Sequence, residues 1–165
     1  MSRMELRPFG VATAHTAAVI RAVPEEEARL WDLHPVPHLR SLREQLAHIA
    51  LIRESIICTL TDRDPEALKA IFENEPWRGP GGTLDLLEAW ELHTRRCQIM
   101  LADLHTADLG KPFQTEFGNV STPENYLRLM LLEETHHRAQ MILLLGLFQL
   151  AAPDFPGRAW AELNM

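Results

Sequence analysis

Apolar residues recur at helical spacing in four long stretches of the chain, separated by segments rich in proline, glycine and aspartate. The first stretch covers about residues 8–22. Pro24 then opens a short acidic turn of helix, PEEEARLWDL, whose glutamates fall where the helix dipole favours them, and HPVPH ends it. The second helix begins at SLRE, where Ser41 caps and Glu44, three residues on, completes a capping box; it runs to about Leu60. TDRDPEALKAIFENEPWRGPGG reads as a connection with room for one short helix around Pro65 to Phe72. The third helix starts near Thr83 and ends before Gly110 and Pro112, which forbid continuation. Thr122 as N-cap with Pro123 in the first turn opens the fourth, which holds to about Gln149, ahead of Pro153 and Pro156. No alternating strand pattern and no repeat of fixed period is found. The expected fold class is all-α, a four-helix bundle with a long crossover connection.

Composition adds limits rather than detail. The length of 165 residues suits a single domain spanning 1–165. A hydrophobic content of 46% with 24% charged residues is that of a chain that folds. A formal net charge of −7 and a pI near 5.6 argue against a nucleic-acid partner, which wants a basic surface. Cys58 and Cys97 sit inside helices rather than in a disulfide framework, so a reducing cytoplasm is expected. VATAHTAAVI is too interrupted for a signal-peptide core, and no window approaches the roughly 18 apolar residues of a membrane span.

The fourth helix carries the chemistry. LLEETHHRAQMILLLGLF places two acids, two histidines, an arginine and a glutamine in the most apolar segment of the chain. At about 100° per residue, Tyr126, Met130, Glu133, His137, Gln140, Leu144 and Phe148 share one stripe. Glu134 and His136 fall at its margins, and Thr135 and Arg138 face away. Glu133 and His137, four apart, rise from one face within reach of a common atom. Burying both costs several kcal/mol unless something pairs with them. The partner is a hydrogen bond inside the bundle joined by Gln140, a water-lined pocket, or a metal ion with a further ligand from a facing helix. His48, at the edge of the second helix's apolar stripe beside Glu44, Ile52 and Ser55, is placed to be that ligand.

Two segments carry a resemblance. HPVPHLRSLREQLAHIALIRES and TPENYLRLMLLEETHHRAQMILLLGLF resemble the second and last helices of the DinB/YfiT-like superfamily, four-helix bundles associated with metal-dependent chemistry. The resemblance extends over nearly the whole chain. It implies that His48 and His137 are metal ligands, His137 preceding RAQ where the family has R-G-Q, and that Glu133 is the third ligand where the family most often has histidine. Two histidines and a carboxylate suit zinc or nickel, with iron or manganese as alternatives. The activity it implies is that of a metal-dependent hydrolase or transferase, above all a thiol-dependent S-transferase or isomerase, in which a low-molecular-weight thiol attacks a small electrophile. Gln140 would orient a ligand or a bound water.

Other candidates compete. EETH and ETHH contain the Glu-x-x-His of di-iron bundles, but that architecture needs the motif on two helices and only the last has it. His93 and Cys97, four apart on the stripe of Leu86, Trp90, Met100 and Leu104, are a ligand pair, core residues or the lining of the same pocket, and His93 is the first residue to test as a general base. His15 and His136 are solitary. The competing function is a non-catalytic bundle that binds a small molecule or a protein partner, with the polar cluster as a structural network. The outward side of the last helix, around Leu131, Leu132, Ala139, Ile142 and Leu143, is too apolar for a solvated face, so a homodimer is expected unless the first-helix region or the C-terminal PDFPGRAWAELNM folds over it.

Overall fold

The computed structural model describes residues 7–62, 77–104, 108–115 and 118–156. Helix α1 (Arg7–Arg21) is followed by a 3₁₀ segment (Glu25–Asp32), α2 (Leu42–Leu60), α3 (Thr83–Ala102), a two-stranded antiparallel hairpin of β1 (Phe113–Gln114) and β2 (Val120–Ser121), and α4 (Pro123–Leu147). All four predicted helices are present, each within about two residues of the start read from its sequence signal. The short helix expected around Pro65 to Phe72 lies outside the described residues. The hairpin was not expected, since two residues per strand are too few to show an alternating pattern.

The helix starts follow from the capping chemistry. Ser41 Oγ accepts from the Glu44 backbone N–H at 3.3 Å while Glu44 Oε2 accepts from the Ser41 N–H at 2.8 Å, so two of the free donors that open α2 are satisfied reciprocally. Thr122 Oγ1 does the same for the Asn125 N–H of α4 at 3.3 Å. At α3 one acceptor comes from outside the helix and one from within its first turn: Glu25 Oε2 takes the Leu84 N–H at 2.9 Å and Asp85 Oδ2 the Gly82 N–H at 2.9 Å. A Cβ on Gly82 would displace the Glu25 carboxylate from this position.

The order of core residues along each helix gives the topology. One apolar cluster holds Ile20, Leu42, Leu46, Ile49, Leu86, Trp90, Met141 and Leu144, and a second holds Phe9, Ile57, Cys97, Met100, Tyr126 and Met130. Chain direction through the two shows that α1 and α4 run one way and α2 and α3 the other. Packing joins α2 to α4 most extensively, α2 to α3, and α1 to both α3 and α4. Helices α2 and α3 are therefore parallel neighbours, and the chain between them must return the full height of the bundle. That is the long crossover, residues 61–82. Among the described residues no helix is long and apolar enough to cross a membrane.

Candidate metal centre

Between the two apolar clusters lies a layer of polar side chains contributed by every helix: Thr16 from α1, Arg53 and Glu54 from α2, His93 from α3, and Glu134 and Arg138 from α4, all buried. Arg53 makes the boundary explicit, its guanidinium stacking 4.4 Å from the ring of Phe9 on one side and 4.4 Å from that of Trp90 on the other. Its Nε donates to Glu134 Oε2 at 2.9 Å and its Nη2 to both carboxylate oxygens at 2.7 and 2.8 Å. Thr16 Oγ1 donates to Glu134 Oε1 at 2.8 Å, and Arg138 Nη1 lies 3.4 Å from the same oxygen.

This corrects the helical-wheel reading of α4. Arg138, expected to face away, is buried against Ala12 and Thr16 of α1. Glu134, placed at a margin, is 1% exposed, whereas the Glu133 side chain, placed on the core stripe, is 43% exposed. A helix packed between two neighbours has two buried sides, and the wheel centred on Tyr126 tracked only the one toward α2; α1 claims the other.

On the α2 side stand the three residues that the resemblance singled out. His137 is buried and His48 is half-buried, with ring centroids 4.4 Å apart at an edge-on angle of 86°. His137 Nε2 is 3.8 Å from Glu133 Oε2. The opposite nitrogen, Nδ1, meets Gln45 Oε1 at 2.7 Å and Gln140 Oε1 at 3.2 Å. Two carbonyl oxygens there suit the tautomer with the proton on Nδ1, which leaves the Nε2 lone pair on the side of the carboxylate. Gln140 in turn donates to His136 Nε2 at 3.0 Å, which fixes its amide orientation. Burial pushes the pKa of His137 and of His48 below the ordinary imidazole value, with the Arg40 cation acting in the same direction on both, so both rings are neutral near pH 7.

A second group lies in the polar layer. His93 Nδ1 is 3.2 Å from Glu54 Oε1, and its Nε2 is 3.5 Å from Cys97 Sγ. Each of these residues is buried, and among the described residues this is the set whose three donor atoms all lie within 4.8 Å of one another, so it could hold a metal ion. Burial pushes the Cys97 thiol up to about 12 and the His93 imidazole down.

The family model of the DinB superfamily matches residues 10–141, which covers the interval from α1 to the polar face of α4. The chain belongs to the DinB superfamily. A search of the curated proteins returns no match. In this DinB-superfamily chain His48 and His137 meet in the α2–α4 groove with Glu133 beside them, but among the described residues the group whose donor atoms all lie within 4.8 Å is Glu54, His93 and Cys97. His93 does not line that groove; its ring is held by Glu54 and Cys97 and flanked by Trp77 and Trp90. His15 packs against Phe155 instead of joining either group.

Three participants escaped the sequence reading: Gln45, Arg53 and Glu54. For Gln45 the signal was position, one turn before His48 on the face toward α4. For Arg53 it was that the residue continues the 46, 49, 53, 57 core spacing of α2, where a leucine would ordinarily stand.

Proposed function

We propose that this DinB-superfamily protein is a metal-dependent enzyme in which His48, Glu133 and His137 hold a divalent ion, and that it acts as a transferase or isomerase on a small electrophile with a low-molecular-weight thiol. The observation that carries the reading is the 2.7 Å contact between His137 Nδ1 and Gln45 Oε1. Metal-binding histidines characteristically donate their second ring N–H to such an acceptor, which fixes the tautomer and aims the lone pair. The residues fit an ion in kind: two neutral imidazoles and a carboxylate free to swing, because it is 43% exposed. When bound, the ion supplies Lewis acidity that lowers the pKa of a thiol or of water and polarises a carbonyl. Gln45 and Gln140 hold the His137 ring, and the half-exposed edge formed by His48 and Glu133 admits a small molecule. The donor set suits zinc or nickel, with iron or manganese as alternatives.

Calorimetric titration with zinc, nickel and manganese tests this. Stoichiometric binding is expected in the parent and in Glu133→His, and its loss in His48→Ala, His137→Ala and Glu133→Gln. Binding that is absent, or indifferent to these substitutions, leaves the second reading: a non-catalytic bundle that binds a small molecule or a partner. The Arg53–Glu134–Arg138 network favours that reading for half of the polar cluster, since both oxygens of its carboxylate are taken by protein donors.

We further infer a homodimer in a reducing cytoplasm. Leu132 and Leu143 are 67% and 58% exposed on α4. The described part of the C-terminal segment offers them no cover, because Phe155 packs on His15 of α1. Neither cysteine is in a disulfide, and both are buried. Sedimentation equilibrium at micromolar concentration is expected to give twice the chain mass; a monomer would overturn the dimer.

A further inference from the structure

We propose a second metal site, distinct from the α2–α4 groove: Glu54, His93 and Cys97 bind one thiophilic divalent ion in the polar layer and tie α2 to α3. The spacing of His93 and Cys97, four apart on α3, puts both on one helical face, and Glu54 meets them from the parallel neighbour α2. The 3.5 Å between Cys97 Sγ and His93 Nε2 matches the separation of about 3.5 Å between adjacent ligands of a tetrahedral zinc ion with Zn–S near 2.3 Å and Zn–N near 2.0–2.1 Å. One donor atom from each of the three residues lies within 4.8 Å of the others, and because Glu54 now meets the Nδ1 side of the ring, a rotation of its side chain or of the imidazole is needed to bring all three onto one ion.

The independent sign of a cation is the other carboxylate oxygen. Glu54 is 0% exposed, yet its Oε2 has no hydrogen-bond partner. Buried carboxylate oxygens are ordinarily paired, and an orphan among them marks a place for an ion or a water. Arg53 gives its Nε and Nη2 to Glu134, with its buried Nη1 also left without a partner, and Arg96, 3.5 Å from Oε1, reaches in from a side chain that is 43% exposed. Glu54 and a deprotonated Cys97 would contribute two negative charges, of which Arg96 at the rim offsets one, and His93 adds none, so a divalent ion would compensate the thiolate that its binding creates. Binding is a ligand exchange with no redox change: the thiol proton leaves to solvent and the sulfur electron pair goes to the ion. The thiolate favours zinc or cobalt over magnesium or manganese, and the fourth position falls to a water.

The ion enters as the bundle folds, so the test uses full-length protein refolded with cobalt. A near-ultraviolet sulfur-to-cobalt charge-transfer band is expected in the parent, in Cys58→Ser, and in the His48→Ala/His137→Ala double variant. It should vanish in Cys97→Ser and weaken in His93→Gln. A band absent from the refolded parent, or one that persists in Cys97→Ser, overturns the proposal. X-ray absorption at the zinc edge of the zinc-refolded His48→Ala/His137→Ala variant gives a reading that does not depend on Cys97→Ser folding. A sulfur scatterer at about 2.3 Å supports the site, and a shell of nitrogen and oxygen alone refutes it. Because no groove ligand is a thiol, failure of the groove site and failure of this one are told apart.

Discussion

Arg53 and Glu134, 81 residues apart in sequence, form a buried bidentate ion pair whose contacts run from 2.7 to 2.9 Å and whose side chains are 0% and 1% exposed. The pair joins α2 to α4 where the two apolar clusters meet, and it answers why polar residues interrupt the greasiest helix of the chain. A charge here is tolerated because its partner, Thr16 and the flanking Phe9 and Trp90 rings replace the lost water.

Removing either partner is therefore expected to be costly. Glu134→Gln or Arg53→Met should lower stability by about 3–5 kcal/mol, since an uncompensated buried charge or an unpaired polar group is left behind. The double variant Arg53→Met/Glu134→Leu should lose less than the sum of the two single losses, the remainder coming from Arg138 and Thr16, which also give up Glu134. Urea denaturation of the three proteins checks it; additive losses would mean that the two residues are not coupled.

Gln45 acts on the groove through His137. Gln45→Leu keeps the volume but removes the acceptor of the Nδ1 proton, and is expected to weaken metal binding about 10–100-fold while far-ultraviolet circular dichroism stays unchanged. Calorimetry gives the number. Affinity equal to that of the parent would show that the Gln45 contact does not orient a ligand.

The N-cap of α2 sits one turn before Gln45 and two before His48. Ser41→Ala removes one side of the capping box and should cost about 1 kcal/mol in denaturant unfolding. The Ser41 N–H also holds the Glu44 carboxyl below its ordinary range, with His34 adding to the effect. Ser41→Thr, which keeps the hydroxyl, should restore most of the loss.

Acid should destabilise the chelator-treated protein. Burial holds the imidazoles of His93, His48 and His137 below their ordinary value. In the unfolded chain each titrates near the reference of about 6.5. Below that pH the unfolded chain takes up protons that the folded protein refuses, so these imidazoles make stability fall as pH drops through and below about 6.5 and contribute no slope between there and pH 8. Urea midpoints between pH 8 and pH 5 test this. His93→Gln should flatten the slope, and a midpoint that rises toward pH 5 would contradict the sign.

Local rules read correctly wherever the physics is local. The capping box at Ser41 and Glu44, Thr122 ahead of Pro123, and the 3.6-residue stripes of α2 and α3 depend on residues within one or two turns, so the sequence by itself determined four helices and their starts. It also placed His48 at a half-buried edge and His137 beside Gln140, because both relations lie on a single helix. Tertiary structure alone decided which sides of α4 are buried, since that depends on two packing partners at once: α2 takes His137 and α1 takes Arg138. It decided too that Arg53 meets Glu134 and that Glu54 meets His93, pairs that residues distant in the chain form only when the crossover sets α2 parallel to α3 and against α4. Periodicity measures how a helix faces a core, and it carries no information about which buried charge will stand opposite.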